Sequence, residues 1–136
     1  MEAVAKLRNC SMSARKMRMV ADLVRNKNID QALNILKFNK REGSTWIEKV
    51  LLSAISNWEN NNEDGESADD YNLFVKTIFA DEGTMLKRFR PAPHGRAHRI
   101  RKRTCHVTLV VENRKQLPSD ISTDEVEVEE VESGNE

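Results

Sequence analysis

Apolar and polar positions alternate with a period of two at the start of the chain, where Ala3, Ala5 and Leu7 lie between Val4, Lys6 and Arg8. That is the pattern of a short strand at the edge of a sheet. The period then lengthens. Met17, Val20, Ala21 and Val24 recur at i, i+3, i+4 and i+7, which predicts a helix opened by Ser11 or Ser13 with Arg15, Lys16, Arg18 and Arg25 largely outside its apolar stripe. A second, shorter helix, capped by Asp30, puts Ala32, Leu33 and Leu36 on one face, and Lys40, Arg41, Glu42 and Gly43 close it off. The third helix has the clearest period. Ile47, Val50, Leu51, Ala54, Ile55 and Trp58 repeat with helical spacing behind Ser44 as cap, until Asn60, Asn61 and Asn62 break the pattern. Because Trp58 lies on that apolar face, it is assigned to the core rather than to a stacking platform.

After the polar loop ENNNEDGESADD the period returns to two. YNLFVKTIFADEGT and TCHVTLVVEN read as strands that should pair antiparallel, with Cys105, Val107, Leu109 and Val111 on one face of the second and His106 and Thr108 on the other. If that pairing continues from about Leu73 to a tip near Pro93 and back to about Glu112, each arm has on the order of 20 residues, or roughly 60 Å at ~3.3 Å per residue. An isolated two-stranded ribbon is marginal in water, so the projecting part is ordered mainly by what it penetrates. The expected fold class is α+β: a small three-stranded antiparallel sheet packed against three helices, with a long protruding β-hairpin and a disordered acidic C-terminal tail. The expected organisation is one folded unit over residues 1–114, its extended basic hairpin at 85–103, and the tail over 115–136.

Composition agrees with one small domain, since 136 residues with 38% apolar and 32% charged side chains support a modest core. No apolar run approaches the ~20 residues of a membrane-spanning helix, and MEAVAKLRNC lacks the apolar stretch of a signal peptide, so a cytoplasmic protein is expected. Cys10 and Cys105 are read as small half-buried thiols, not as a structural bridge.

The formal net charge of zero conceals an uneven distribution: +8 over residues 1–115 and −8 over residues 116–136, which hold eight acids and no base. The segment QLPSDISTDEVEVEEVESGNE is too polar to bury enough apolar surface to fold alone, although Val126, Val128 and Val131 alternate with glutamates and suit a strand against a partner. The opposite extreme is KRFRPAPHGRAHRIRKR, residues 87–103, with eight Lys or Arg and no acid. Such a composition binds phosphate. Pro91, Pro93 and Gly95 punctuate its middle and read as a hairpin tip.

Other constellations have plainer readings. Ser13 to Lys16 spells S-x-x-K, a pairing of nucleophile and lysine in some acyl-transfer enzymes, but S-D-N and K-T-G are absent and a serine opening a basic helix accounts for the residues. His94, His98, Cys105 and His106 are zinc-type donors without paired ligand spacing, and eight cations oppose a metal cation. No glycine-rich phosphate loop occurs, nor a cluster of acids suited to magnesium. The expectation is a protein that is not an enzyme, with no cofactor, no metal and no catalytic residue.

The ordered segments SARKMRMVADLVRNK, QALNIL, FVKTIFADEGTMLKRFRP and GRAHRIRKRTCHVTLVV resemble the bacterial large-subunit ribosomal protein L-twenty-two family over residues 1 to about 114. GRAHRIRKRTCH is the most specific of them. The resemblance implies an α+β body near the outer end of the nascent-peptide exit tunnel and a hairpin that runs inward through ribosomal RNA to line the tunnel wall. It further implies help in early subunit assembly. The implied partners are 23S-type large-subunit ribosomal RNA, neighbouring large-subunit ribosomal proteins and the nascent polypeptide, with no membrane and no homo-oligomer. Carried onto this chain, the RNA-binding residues are Arg15, Lys16, Arg18, Lys87, Arg88, Arg90, Arg96, His98, Arg99, Arg101, Lys102 and Arg103. The tunnel-lining tip is Arg90, Pro91, Ala92, Pro93, His94, Gly95 and Arg96. Here the chain departs from the family's usual Pro-Arg-Ala-x-Gly, since Pro91 is followed by Ala92, Pro93 and His94. The alternative is a free-standing nucleic-acid-binding regulator that uses the β-ribbon as a groove reader.

Overall fold

A computed structural model describes residues 1–61 and 72–114. Its elements run β1 (Glu2–Cys10), α1 (Ala14–Val24), α2 (Ile29–Phe38), α3 (Glu42–Asn61), β2 (Phe74–Glu82), β3 (Leu86–Ala92), β4 (Arg96–Lys102) and β5 (Cys105–Glu112). β1, β5 and β2 form a three-stranded antiparallel sheet in that order, and β3 and β4 form a separate two-stranded antiparallel ribbon. This is the expected α+β architecture. The acidic tail expected at 115–136 and most of the expected polar loop lie outside the described residues.

Period two explains the sheet and period 3.6 the helices. Ala3 and Ala5 of β1, Val75, Ile78 and Ala80 of β2, and Cys105, Val107, Leu109 and Val111 of β5 point to one side and are buried. There they meet Met17, Val20, Ala21 and Val24 of α1 and Ile47, Leu51, Ala54 and Trp58 of α3. β1 lies at the sheet edge, as its alternation implies. The opposite edge is closed. Asn26 N–H donates to Val75 O (3.0 Å), Val75 N–H to Lys27 O (2.9 Å) and Ile29 N–H to Leu73 O (3.1 Å). Further along β2, Arg25 Nη2 donates to Ile78 O (3.1 Å) and Arg18 Nε to Ala80 O (3.0 Å). An edge whose carbonyls are already taken is a poor template for pairing with another chain.

Two helix starts differ from the expectation. α2 begins at Ile29 with Asn28 in the cap position, so Asp30 sits inside the first turn, where its carboxylate favours the positive end of the helix dipole rather than capping it. α3 begins at Glu42, so Ser44 is a buried residue of its first turn and not a cap, and Glu42 and Gly43 belong to α3 instead of closing α2. The cause is packing. α2 stops at Phe38, and Asn39 Oδ1 accepts from Arg41 N–H (3.1 Å) in the turn that leads into α3. A Cβ on Gly43 would stand 3.2 Å from Val20 Cγ2, so glycine lets α3 start against α1.

The expected continuous pairing of two long arms is also revised, because β2–β5 and β3–β4 are two separate ladders. The interruption falls at Gly83–Met85 on one arm and Arg103–Thr104 on the other. Gly83 N–H donates to Thr104 O (2.9 Å), and Thr104 Oγ1 donates to Thr84 O (2.7 Å), which stitches the junction. A Cβ on Gly83 would lie 2.5 Å from Thr104 Oγ1 and 3.1 Å from His106 Nε2. Gly83→Ala is therefore expected to cost about 1–3 kcal/mol through overpacking. The added Thr104→Ala change should recover part of that loss, since the two side chains collide. Urea midpoints of the two single variants and the double variant measure this, and additive losses would refute the collision.

Candidate nucleic-acid interface

Paired residues of an antiparallel ladder share a face, and successive residues alternate. One face of the ribbon therefore carries Leu86 with Lys102, Arg88 with Ile100, Arg90 with His98, and Ala92 with Arg96; the other carries Lys87 with Arg101, Phe89 with Arg99, and Pro91 with Ala97. Both faces are cationic. Arg103 follows directly at the base. All eight basic side chains from Lys87 to Arg103 are exposed, and among the described residues none joins an ion pair. Neither β3 nor β4 packs against any other described element, so the ribbon projects from the body. Cations spread over two faces without counterions suit insertion among phosphates on both sides, rather than attachment to one flat surface.

The tip is tight. His94 (φ 61°) and Gly95 (φ 67°) both adopt left-handed backbone, which reverses the chain between Ala92 and Arg96. Histidine tolerates this better than a branched residue would, and glycine has no penalty there. Nothing lies within 4 Å of a Cβ built on Gly95, so conformation, not space, calls for glycine.

Of the expected residues on α1, the fold brings two to the ribbon base. Arg15 lines a cleft of about 410 Å³ with Ser13, Glu82 and Arg103, and Lys16 lines an adjoining one of about 470 Å³ with Glu42, Arg101, Lys102 and Arg103. The body thus adds cations where the ribbon leaves it. Arg18 is not brought there; its guanidinium is engaged with the β2 edge at Ala80. Arg25, at the next such position, also pairs with Asp22 at 2.9 Å.

Ser13 occupies the cap position of α1, where its carbonyl accepts from Lys16 N–H (3.1 Å) and Met17 N–H (3.2 Å), so S-x-x-K is a helix start. His94 is in the turn, His98 faces Arg90, and His106 Nδ1 accepts from Asn9 N–H (3.0 Å) at a bulge in β1. Among the described residues, no three His, Cys, Asp or Glu side chains converge as a metal site. Cys10 and Cys105 are opposite each other across β1 and β5, free and fully buried rather than half-buried. Burial pushes both thiols up, Cys105 to about 11, with Cys10 beside it adding to the shift. They are neutral and poor nucleophiles. No helix among the described residues is long and apolar enough to cross a membrane.

Phe89 is absent from the residues expected from the sequence to bind. The signal available for it was an aromatic set between Arg88 and Arg90.

Comparison with known proteins adds what geometry lacks. Residues 5–112 match the family described as ribosomal protein L22p/L17e. A protein of Christiangramia forsetii called large ribosomal subunit protein uL22 is 60% identical over 109 residues, covering 80% of this chain and 80% of the relative. The protein of the same name from Flavobacterium johnsoniae is 60% identical over 80% of this chain and 79% of its own. That of Bacteroides fragilis is 52% identical over 81% and 79%.

Proposed function

Because the chain belongs to the ribosomal protein L22p/L17e family, we propose that its ribbon binds large-subunit ribosomal RNA and stands in the wall of the nascent-peptide exit tunnel. Membership makes it a non-enzymatic protein of the large ribosomal subunit, acting in translation in the cytoplasm. The free-standing regulator is set aside on the same ground. One observation carries the RNA reading: eight cations, seven on the two faces of the ribbon and Arg103 at its base, with no ion-pair partner among the described residues, on a ribbon that packs against no other described element.

The mechanism is neutralisation at close quarters. Folded RNA brings phosphates together against their mutual repulsion, and a fixed row of cations lowers that cost. Arg96, Arg99 and Arg101 suit the task because the planar guanidinium engages two phosphate oxygens at once and stacks on exposed bases. Lys87, Arg88, Arg90, Lys102 and Arg103 extend the row, and Arg15 and Lys16 continue it onto the body. Arg18 contributes charge from the sheet edge. His98 lies among the same cations. At the far end, Arg90 to Arg96 form the tip, which faces the tunnel and the nascent polypeptide. The missing arginine after Pro91 makes that surface less basic and the second proline stiffens it. Binding of this kind also supports an early role in subunit assembly, beside neighbouring ribosomal proteins.

The test is incorporation. Tagged wild-type chain is expected to sediment quantitatively with large subunits. A variant carrying Arg88→Gln, Arg90→Gln, Arg99→Gln and Arg101→Gln should lose roughly tenfold in RNA affinity per change at low salt and be depleted from them. Equal incorporation of variant and wild type would overturn the proposal.

A further inference from the structure

The ribbon presents one aromatic side chain that neither folding nor charge explains. Phe89 is 71% exposed, although fully burying such a ring is worth about 1.5–3 kcal/mol. Ile100, on the opposite face, is partly covered. Around Phe89 on its own face lie Arg99 directly across the ladder, Lys87 and Pro91 two residues along the strand, and Arg101 and Ala97 diagonally opposite. No acid occurs between Glu82 and Glu112, and no body element among the described residues packs against this ribbon. The protein holds an aromatic ring in water beside a triangle of cations, Lys87, Arg99 and Arg101.

The chemistry of that triangle selects the occupant. A flat apolar ring calls for a second flat ring, and Lys87, Arg99 and Arg101 call for negative charge within one side chain's reach of it. A nucleotide supplies both, as a base with its own phosphate and the next one along the strand. A base inside a paired helix hides both faces in the stack, so only an unstacked base offers one. An apolar protein segment would cover the ring but leave three cations unanswered. We infer that Phe89 is a stacking platform for an unpaired nucleobase of single-stranded RNA, whose flanking phosphates rest on Lys87, Arg99 and Arg101. This deepens the RNA-binding reading above and rests on it. It gives the two faces different tasks: the Arg88–Arg90–Arg96–Lys102 face meets phosphate alone, and the Phe89 face meets a base as well.

The test uses the full chain with two probes at one fixed salt concentration, a single-stranded oligouridylate and an RNA duplex of equal length. Phe89→Leu keeps an apolar, strand-compatible side chain and removes the π-face. It is expected to weaken single-strand binding roughly fivefold or more, the lower end of what loss of one base–aromatic stack costs, while duplex affinity stays within about twofold. Phe89→Trp should restore or exceed wild-type single-strand affinity. The salt slope should be the same in all three proteins, because no charge is altered. Phe89→Leu binding both probes as wild type does would overturn the platform but leave the RNA reading intact, and so would an equal loss on both probes. Failure of the wild-type chain to bind either probe would overturn the two together.

Discussion

Raising monovalent salt from about 50 to about 200 mM should lower the affinity of this protein for large-subunit ribosomal RNA by three orders of magnitude or more, as is typical when 6–10 phosphates are contacted. The ribbon and its base present eight cations, exposed and without ion-pair partners among the described residues. Each contact releases counterions, contributing about −0.7 to −0.9 to the slope of log affinity against log salt, so eight contacts give a slope of roughly −6 to −7. The body adds Arg15 and Lys16 at the same end, which steepens it further. Filter binding or fluorescence anisotropy across a salt series measures the slope directly. A value near −1 would mean that the ribbon is not the phosphate-binding element, whatever its sequence. The same experiment on the fourfold arginine variant should return a slope shallower by about three to four.

Trp58→Ala should remove a large share of the stability of the domain, about 3–5 kcal/mol. Trp58 is the largest fully buried side chain, and it closes the apolar face of α3 beneath the sheet. Truncating a buried aromatic costs about 3–5 kcal/mol, against a total of roughly 5–15 kcal/mol for a domain of this kind. Leu52, one residue after core residue Leu51 but facing solvent, is the matched control; Leu52→Ala should change stability by no more than about 0.5 kcal/mol. Urea unfolding followed by circular dichroism distinguishes the two. A loss below about 1 kcal/mol at Trp58 would mean that the α3 stripe is not the wall of the core.

Most of the body was legible because its signals are local. The stripe Met17, Val20, Ala21 and Val24 is buried in full, and so are Cys105, Val107, Leu109 and Val111. Both follow from spacing alone, since a helix repeats every 3.6 residues and a strand every two. The exposed basic ribbon was legible through charge, because eight basic residues without an acid do not make a core. Its two-faced character was not, because it depends on the register that pairs Phe89 with Arg99 and Arg88 with Ile100.

The remaining differences share one physical origin. Ser44 reads as a cap because serine before an apolar stripe usually is one, yet here it is buried where α3 begins against Val20 of α1. Arg18 reads as one more exposed cation of a basic helix, yet the carbonyl of Ala80, 62 residues away, accepts its hydrogen bond. The long hairpin reads as one ladder, yet Gly83 and Thr104 divide it. Spacing and charge are properties of neighbouring residues, so the chain alone specified the helices, the strands and the basic ribbon. Edge closure, the break at Gly83 and the isolation of Phe89 depend on groups far apart in the chain, and they exist only once β1, β5 and β2 have come together under the helices.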